Sequence, residues 1–208
     1  MAVKVKVCGM KYPNNIAAVA SLEVDYMGFI FYDQSKRYVG ENSSIHIKEL
    51  ENLNKVGVFV NASLSEILIK KTEFKLNAIQ LHGDESVQFC RELKEKSKAT
   101  IIKAFGVDQD FDWIALDSYA NTVDYFLFDT KSSSYGGTGL QFDWSLLDQY
   151  KLTTPYFLSG GLDPENIKTA LERNDPRLYA LDLNSKFEVE PGLKDIELLS
   201  QSINTIKK

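Results

Sequence analysis

The 208-residue sequence has only two cysteines, Cys8 and Cys90, and two histidines, His46 and His82. Two thiols cannot build the disulfide framework of a small secreted domain, and a reducing compartment is the simpler reading. No metal-ligand spacing joins these cysteines to the histidines, so no zinc is expected, and no Cys–His nucleophile signature is present. No apolar run approaches the roughly 18–20 residues of a membrane span. The start, Met1-Ala2-Val3-Lys4-Val5-Lys6-Val7, alternates charged and branched side chains and has no apolar core for a secretory signal. Basic charge is not in excess: the formal net charge is −5, which argues against a broad surface for nucleic acid or an anionic membrane. No linker rich in Pro, Gly or Ser divides the chain. These absences leave a soluble, cytoplasmic protein with a single domain over residues 1–208. A small anionic ligand stays compatible, because backbone amides at helix starts hold a phosphate whatever the global charge.

What is present is a steady return of short β-branched runs, each followed by a helical pattern. Strands are expected at Val3–Cys8, Tyr26–Phe31, Lys55–Val60, Ala78–Leu81, Ala99–Phe105, Asp124–Asp129, Tyr156–Ser159 and Leu178–Leu183. Helices are expected at Asn14–Leu22, Ser44–Leu53 (weakly), Ser63–Thr72, Ser86–Lys96, Asp110–Tyr119, Asp143–Gln149, Pro164–Glu172 and Lys194–Ile206. Strands alternating with helices imply right-handed crossovers and a parallel sheet. Continuous apolar runs such as Tyr125-Phe126-Leu127-Phe128 suit a sheet buried on both faces. Eight such units close naturally into a (β/α)8 TIM barrel, with an open doubly wound sheet as the alternative. Ser63 with Glu66 has capping-box spacing, and Asp163-Pro164 reads as an N-cap followed by a first-turn proline.

In such a barrel the chemistry sits at the carboxyl ends of the strands. Cys8 ends the first strand, and is either a small buried hydrophobe or a thiolate base or nucleophile. Cys90, inside a helix, reads as structural. Asp129 ends an apolar strand, as a turn residue or as an acid tuned for proton transfer. Arg37 is a surface charge or a partner for a substrate carboxylate. His82 is a hydrogen-bonded structural histidine or a member of the site. The stretch Tyr135-Gly136-Gly137-Thr138-Gly139 lies in a long loop, a flexible connection or a lid. Ser159-Gly160-Gly161 follows strand seven, where backbone can approach a phosphate. The stretch Asp182 to Ser185 closes strand eight.

Taken in order, the stretches Lys6-Val7-Cys8-Gly9-Met10, Ser35-Lys36-Arg37-Tyr38-Val39, Gln80-Leu81-His82-Gly83-Asp84-Glu85, Phe128-Asp129-Thr130, Gly136-Gly137-Thr138-Gly139, Ser159-Gly160-Gly161, Asp182-Leu183-Asn184-Ser185, Glu188 and Pro191-Gly192-Leu193-Lys194-Asp195 resemble the phosphoribosylanthranilate isomerase family. The resemblance spans the whole chain. It implies a cofactor-free and metal-free Amadori rearrangement, a third step on the route to tryptophan. Asp129 would protonate the ribose ring oxygen, and Cys8 would remove the C2 proton. It places Arg37 at the anthranilate carboxylate, His82 and Asp182 among the substrate-binding residues, and Gly160, Gly161, Asn184 and Ser185 around the phosphate. Gly136 and Gly137 would lie in a closing loop. The partner is a small phosphosugar-anthranilate substrate, and the chain is a monomer or homodimer. Acting as base, Cys8 calls for a lowered thiol pKa, and Asp129 for a raised one. Lys36, Leu140 and Lys186-Phe187 depart from frequent family choices and bear on affinity and loop conformation. Related readings fit less well: the histidine-pathway isomerase has an aspartate where Cys8 stands, and indole-glycerol-phosphate synthase needs a lysine-centred site. A silent phospho-ligand binder has no use for both Cys8 and Asp129.

Overall fold

A computed structural model describes residues 2–40, 47, 50–131 and 142–208. Eight parallel strands close into a barrel in sequence order. They are β1 (Lys4–Val7), β2 (Tyr26–Ile30), β3 (Asn54–Phe59), β4 (Ala78–Leu81), β5 (Thr100–Val107), β6 (Tyr125–Thr130), β7 (Tyr156–Leu158) and β8 (Leu178–Leu183). β8 returns to β1 with Lys6 opposite Asp182, and β5 meets β6 with Gly106 opposite Asp129. The expected TIM barrel is therefore the fold.

Because strand side chains alternate, each strand feeds two cores. Val5, Val7, Met27, Phe29, Ile79, Leu81, Phe126, Phe128 and Leu181 point outward into the layer shared with the helices. Val56, Ala78, Ile102, Ala104, Leu127, Phe157 and Ala180 fill the barrel interior. Each large side chain so buried contributes about 1.5–3 kcal/mol, and both faces of the sheet draw on that term. At the amino-terminal end the interior closes on tyrosines. Tyr26 and Tyr179 hydroxyls are 2.8 Å apart, and the Tyr125 ring lies 4.5 Å from that of Tyr179.

Outside the sheet run α1 (Pro13–Ala20), α2 (Leu64–Phe74), α3 (Val87–Ser97), α4 (Ile167–Glu172) and α5 (Ile196–Lys207). Ser63, Ser86 and Asp195 cap α2, α3 and α5 by accepting from the amides of Glu66, Phe89 and Leu198. Four expectations are corrected. Asp110–Tyr119 and Asp143–Gln149 do not form α-helices; each folds as one short 3-10 segment, Trp113–Ser118 and Trp144–Gln149. There Asp112 and Asp143 accept from amides two residues on, tightening the turn. Pro164–Glu172 is helical only over Ile167–Glu172, with Asp163 capping the preceding turn through the amides of Glu165 and Asn166. Lys194 does not start the last helix: it pairs in a small hairpin of β9 (Glu188–Glu190) and β10 (Leu193–Lys194), turned by Pro191-Gly192. Of the expected helix at Ser44–Leu53, residues 44–46, 48 and 49 lie outside the described residues, and residues 50–53 are not helical, with a turn and bend over 51–53.

Candidate active site

The inward-facing rows that are apolar in mid-barrel become polar at the carboxyl ends of the strands. Cys8 lies just past β1, Gln80 and His82 on and beyond β4, Asp129 on β6, Ser159 beyond β7, and Asp182 and Asn184 on and beyond β8. With Ile30, Val58 and Val60, and with Tyr32, Ser35 and Arg37 from the loop after β2, they line a concave cavity at the carboxyl ends of the strands.

The sequence-derived candidates Cys8, Arg37, His82, Asp129, Asp182 and Asn184 all line it. Gly160 and Gly161 follow β7 beside it, at φ +79° and +73°. Ser185 opens the 3-10 turn Ser185–Phe187 and is not among the described lining residues. Gly136 and Gly137, with the proposed closing loop, lie outside the described residues. Gln80 and Ser159 line the cavity without having been assigned a role from sequence. Their signal was strand alternation: Gln80 shares a face with His82, as Lys6 does with Cys8.

Cys8 is 4% exposed, and its amide donates to Leu183 O at 2.9 Å. Burial drives its thiol above the ordinary value and Asp182 adds to the rise, while the ammonium groups of Lys6 and Lys194 pull downward. The net displacement is upward. This overturns the expected lowering, because desolvation of a thiolate outweighs two nearby cations that are themselves paired. Lys6 and Asp182 form a fully buried ion pair at 2.8 Å. Asp182 Oδ1 has no hydrogen-bond partner among the described residues.

Gly28 makes room for the thiol. A Cβ at residue 28 would stand 2.7 Å from Cys8 Sγ and 3.2 Å from Cys8 Cα. Gly28→Ala is expected to keep the barrel and displace the thiol, lowering kcat/KM by up to about 100-fold, the scale of an ångström-sized misplacement. Steady-state rates with a thermal melt check this; a variant as active as the parent would show that the thiol's placement is immaterial.

Across the mouth, Asp129 Oδ1 accepts from the Thr130 amide at 2.8 Å, and Oδ2 lies 3.4 Å from His82 Nε2. Gln80 Nε2 is 2.8 Å from His82 Nδ1. With the amide donating, the imidazole hydrogen sits on Nε2 and faces Asp129. Gly160 packs against the same strand end: its Cβ would fall 2.5 Å from Thr130 Oγ1 and 3.1 Å from Asp129 Oδ1, and its positive φ already disfavours a side chain.

Arg37 is not a free surface charge. Its Nε and Nη2 fork onto Glu188 at 2.8–3.0 Å. Lys194 Nζ reaches the same carboxylate at 2.6 Å and Asn184 Oδ1 at 2.8 Å. Burial drags Lys194 down to about 8 despite Glu188. Burial also works against Glu188, yet Arg37 and Lys194 hold its carboxyl below the usual range. One carboxylate shared by two cations leaves this edge of the mouth positive, which suits an anionic ligand group.

The model of the family described as N-(5'phosphoribosyl)anthranilate (PRA) isomerase matches residues 5–205 of this chain. The chain belongs to that family. The N-(5'-phosphoribosyl)anthranilate isomerase of Parabacteroides distasonis is 45% identical over 206 residues, covering 97% of this chain and 92% of the relative. Among solved structures, monomers generated from the dimeric phosphoribosylanthranilate isomerase of Thermotoga maritima superpose with a TM-score of 0.83 at 34% identity, covering 99% and 98% of the two chains. A phosphoribosyl anthranilate isomerase in complex with reduced 1-(o-carboxyphenylamino)-1-deoxyribulose 5-phosphate gives the same TM-score, identity and coverage. The PRA isomerase family thus shares this chain's barrel from β1 to α5.

Proposed function

We propose that this chain isomerises N-(5'-phosphoribosyl)anthranilate to 1-(o-carboxyphenylamino)-1-deoxyribulose 5-phosphate on the route to tryptophan, in the cytoplasm and without cofactor. The observation that carries the reading is the meeting of Cys8 and Asp129, from opposite sides of the barrel, in one cavity with a positive edge.

The Asp129 carboxylic acid gives its proton to the ribose ring oxygen. The C1–O bond breaks, and the anilino nitrogen lone pair closes a C1=N iminium. The Cys8 thiolate then takes the proton from C2, and the C–H electrons form C1=C2 as the nitrogen becomes neutral. Tautomerisation of this enolamine gives the C2 ketone, so C2 is oxidised and C1 reduced within one molecule. The iminium is the electron sink. Arg37, oriented by Glu188, holds the anthranilate carboxylate through its remaining donors. Asp182 Oδ1, unpartnered among the described residues, takes a ribose hydroxyl. Gly160, Gly161, Asn184 and Ser185 surround the phosphate. His82 steadies Asp129. The chain acts as a monomer or a homodimer, the latter supported by the dimeric Thermotoga maritima relative.

The test follows the fluorescence of freshly generated substrate. The parent is expected to consume it, and Cys8→Ser to be slower by about 10²–10⁴-fold, the usual yield of a general base. Because Cys8 is displaced upward, the rising limb of kcat/KM should lie above the ordinary thiol value of about 8.5. A folded parent that leaves the substrate untouched would sink the reading and favour a silent binder.

A further inference from the structure

Lys6 sits two residues before Cys8 on the inward face of β1, so both side chains rise from one row of the barrel. Its ammonium is wholly buried beneath the cavity, in an interior otherwise filled by side chains such as Val56, Ile102, Leu127 and Phe157. It donates to Asp182 Oδ2, at 2.8 Å on the neighbouring strand β8, and also interacts with the Cys8 side chain. As a purely structural device this pair is a poor choice, since apolar side chains of like volume would fill the space at lower desolvation cost. The pair is also incomplete: Asp182 lines the same cavity, and its buried Oδ1 has no hydrogen-bond partner among the described residues.

We propose that Lys6, fixed by Asp182, is the counter-charge of the Cys8 thiolate and so a positioning residue for the base. The inference rests on the reading of Cys8 as the base. On ionisation the S–H bond breaks, the proton leaves to water at the mouth, and the sulfur's negative charge stays opposite the Lys6 ammonium.

The charged groups facing Cys8 come from three elements: Lys6 on β1, Asp182 on β8 and Lys194 on β10. Lys194 is tied to Glu188, which also holds Arg37, while Asp129 and His82 act on Asp182 from across the mouth. Within this set Lys6 and Asp182 sum to zero and act on the thiol with opposite sign. Lys6 is the stronger of the two. That opposition makes the role separable from packing.

The experiment titrates the thiol by 13C NMR of protein labelled at cysteine Cβ, with Cys90 as internal reference because burial pushes its thiol up to about 11. Lys6→Met is expected to raise the Cys8 midpoint by about 1–3 pH units, the span of a close opposite charge. Asp182→Asn is expected to lower it. Midpoints that move in the same direction, or not at all, overturn the proposal, since a packing role has no sign. Should a single variant fail to fold, the charge-balanced Lys6→Met/Asp182→Asn variant decides: its midpoint rises, by less than that of Lys6→Met alone, and an unmoved or lowered midpoint refutes Lys6. The rising limb of kcat/KM is measured on the same proteins and should follow the thiol. If the midpoints move as stated while the limb stays put, the counter-charge stands and Cys8 as base falls.

Discussion

An Asp129→Asn variant is expected to lose about 10²–10⁴-fold in kcat with little change in KM, the signature of a group whose proton matters only in the transition state. Asparagine keeps the size of the side chain, and its carbonyl oxygen can still accept from the Thr130 amide, as Oδ1 does at 2.8 Å. The Nδ2 that takes the place of Oδ2, 3.4 Å from His82 Nε2, is a donor, so that contact is kept with the imidazole hydrogen moved to Nδ1 and Gln80 turning its carbonyl oxygen to it. What it cannot do is surrender a proton to an opening ring. The melting temperature should therefore be close to the parent's, which separates loss of chemistry from loss of fold. Steady-state kinetics on the two proteins settle the point. A variant retaining kcat within about tenfold would remove Asp129 from the acid role, and a change confined to KM would make it a binding group only.

The second large effect is on stability. Glu85 and Lys103 meet at 3.2 Å, with side chains 3% and 2% exposed, behind the loop that follows His82. Glu85 also accepts from the amides of Asn61 and Gly83, and Lys103 donates to the carbonyls of Gly83 and Ala104. Glu85→Gln leaves the shape intact and strands a buried ammonium, a loss of about 3–5 kcal/mol. For a domain of this size that is a drop of roughly 6–20 °C in Tm. Adding Lys103→Met removes the stranded charge, so the double variant should recover much of the loss rather than compound it. Calorimetry on the two single variants and the double checks this. Additive losses would mean that the two groups are not coupled through each other.

The barrel was readable because short apolar, β-branched runs alternate with helical patterns, and the eight units arrive in order. Shorter elements were less legible. Asp110–Tyr119 carries Phe111 with Ile114 and Trp113 with Leu116 at the three-residue spacing of a helix, but the Asp112 side chain draws in the Ile114 amide and the turn stays 3-10. The hairpin at Glu188–Lys194 was signalled by Pro191-Gly192, a turn pair whose glycine has φ +92°. It could not be inferred from apolar patterning, since its strands carry Glu188, Glu190 and Lys194.

Within the site, Cys8 and Asp129 were legible as chemistry-bearing residues that interrupt apolar strands at the productive end. Arg37 was legible as a surface charge or a partner for a substrate carboxylate, but its pairing with Glu188 was not, because pairing across 151 residues has no local signature. Lys6 was hidden in plain alternation. In Val5-Lys6-Val7-Cys8 the valines make the outer core, so the lysine must turn inward, and only closure of β8 onto β1 supplies Asp182 to receive it.

The tyrosine floor of the barrel has a consequence for traffic. With Tyr26 and Tyr125 packed edge to face on Phe157 and Tyr179 tilted against Tyr125 and Phe157 beneath the interior, the carboxyl-end mouth is the way in and the way out among the described residues. Product and the next substrate therefore queue at one doorway. Each turnover must empty the chamber before the next can begin, and accumulated product competes with substrate for the same threshold.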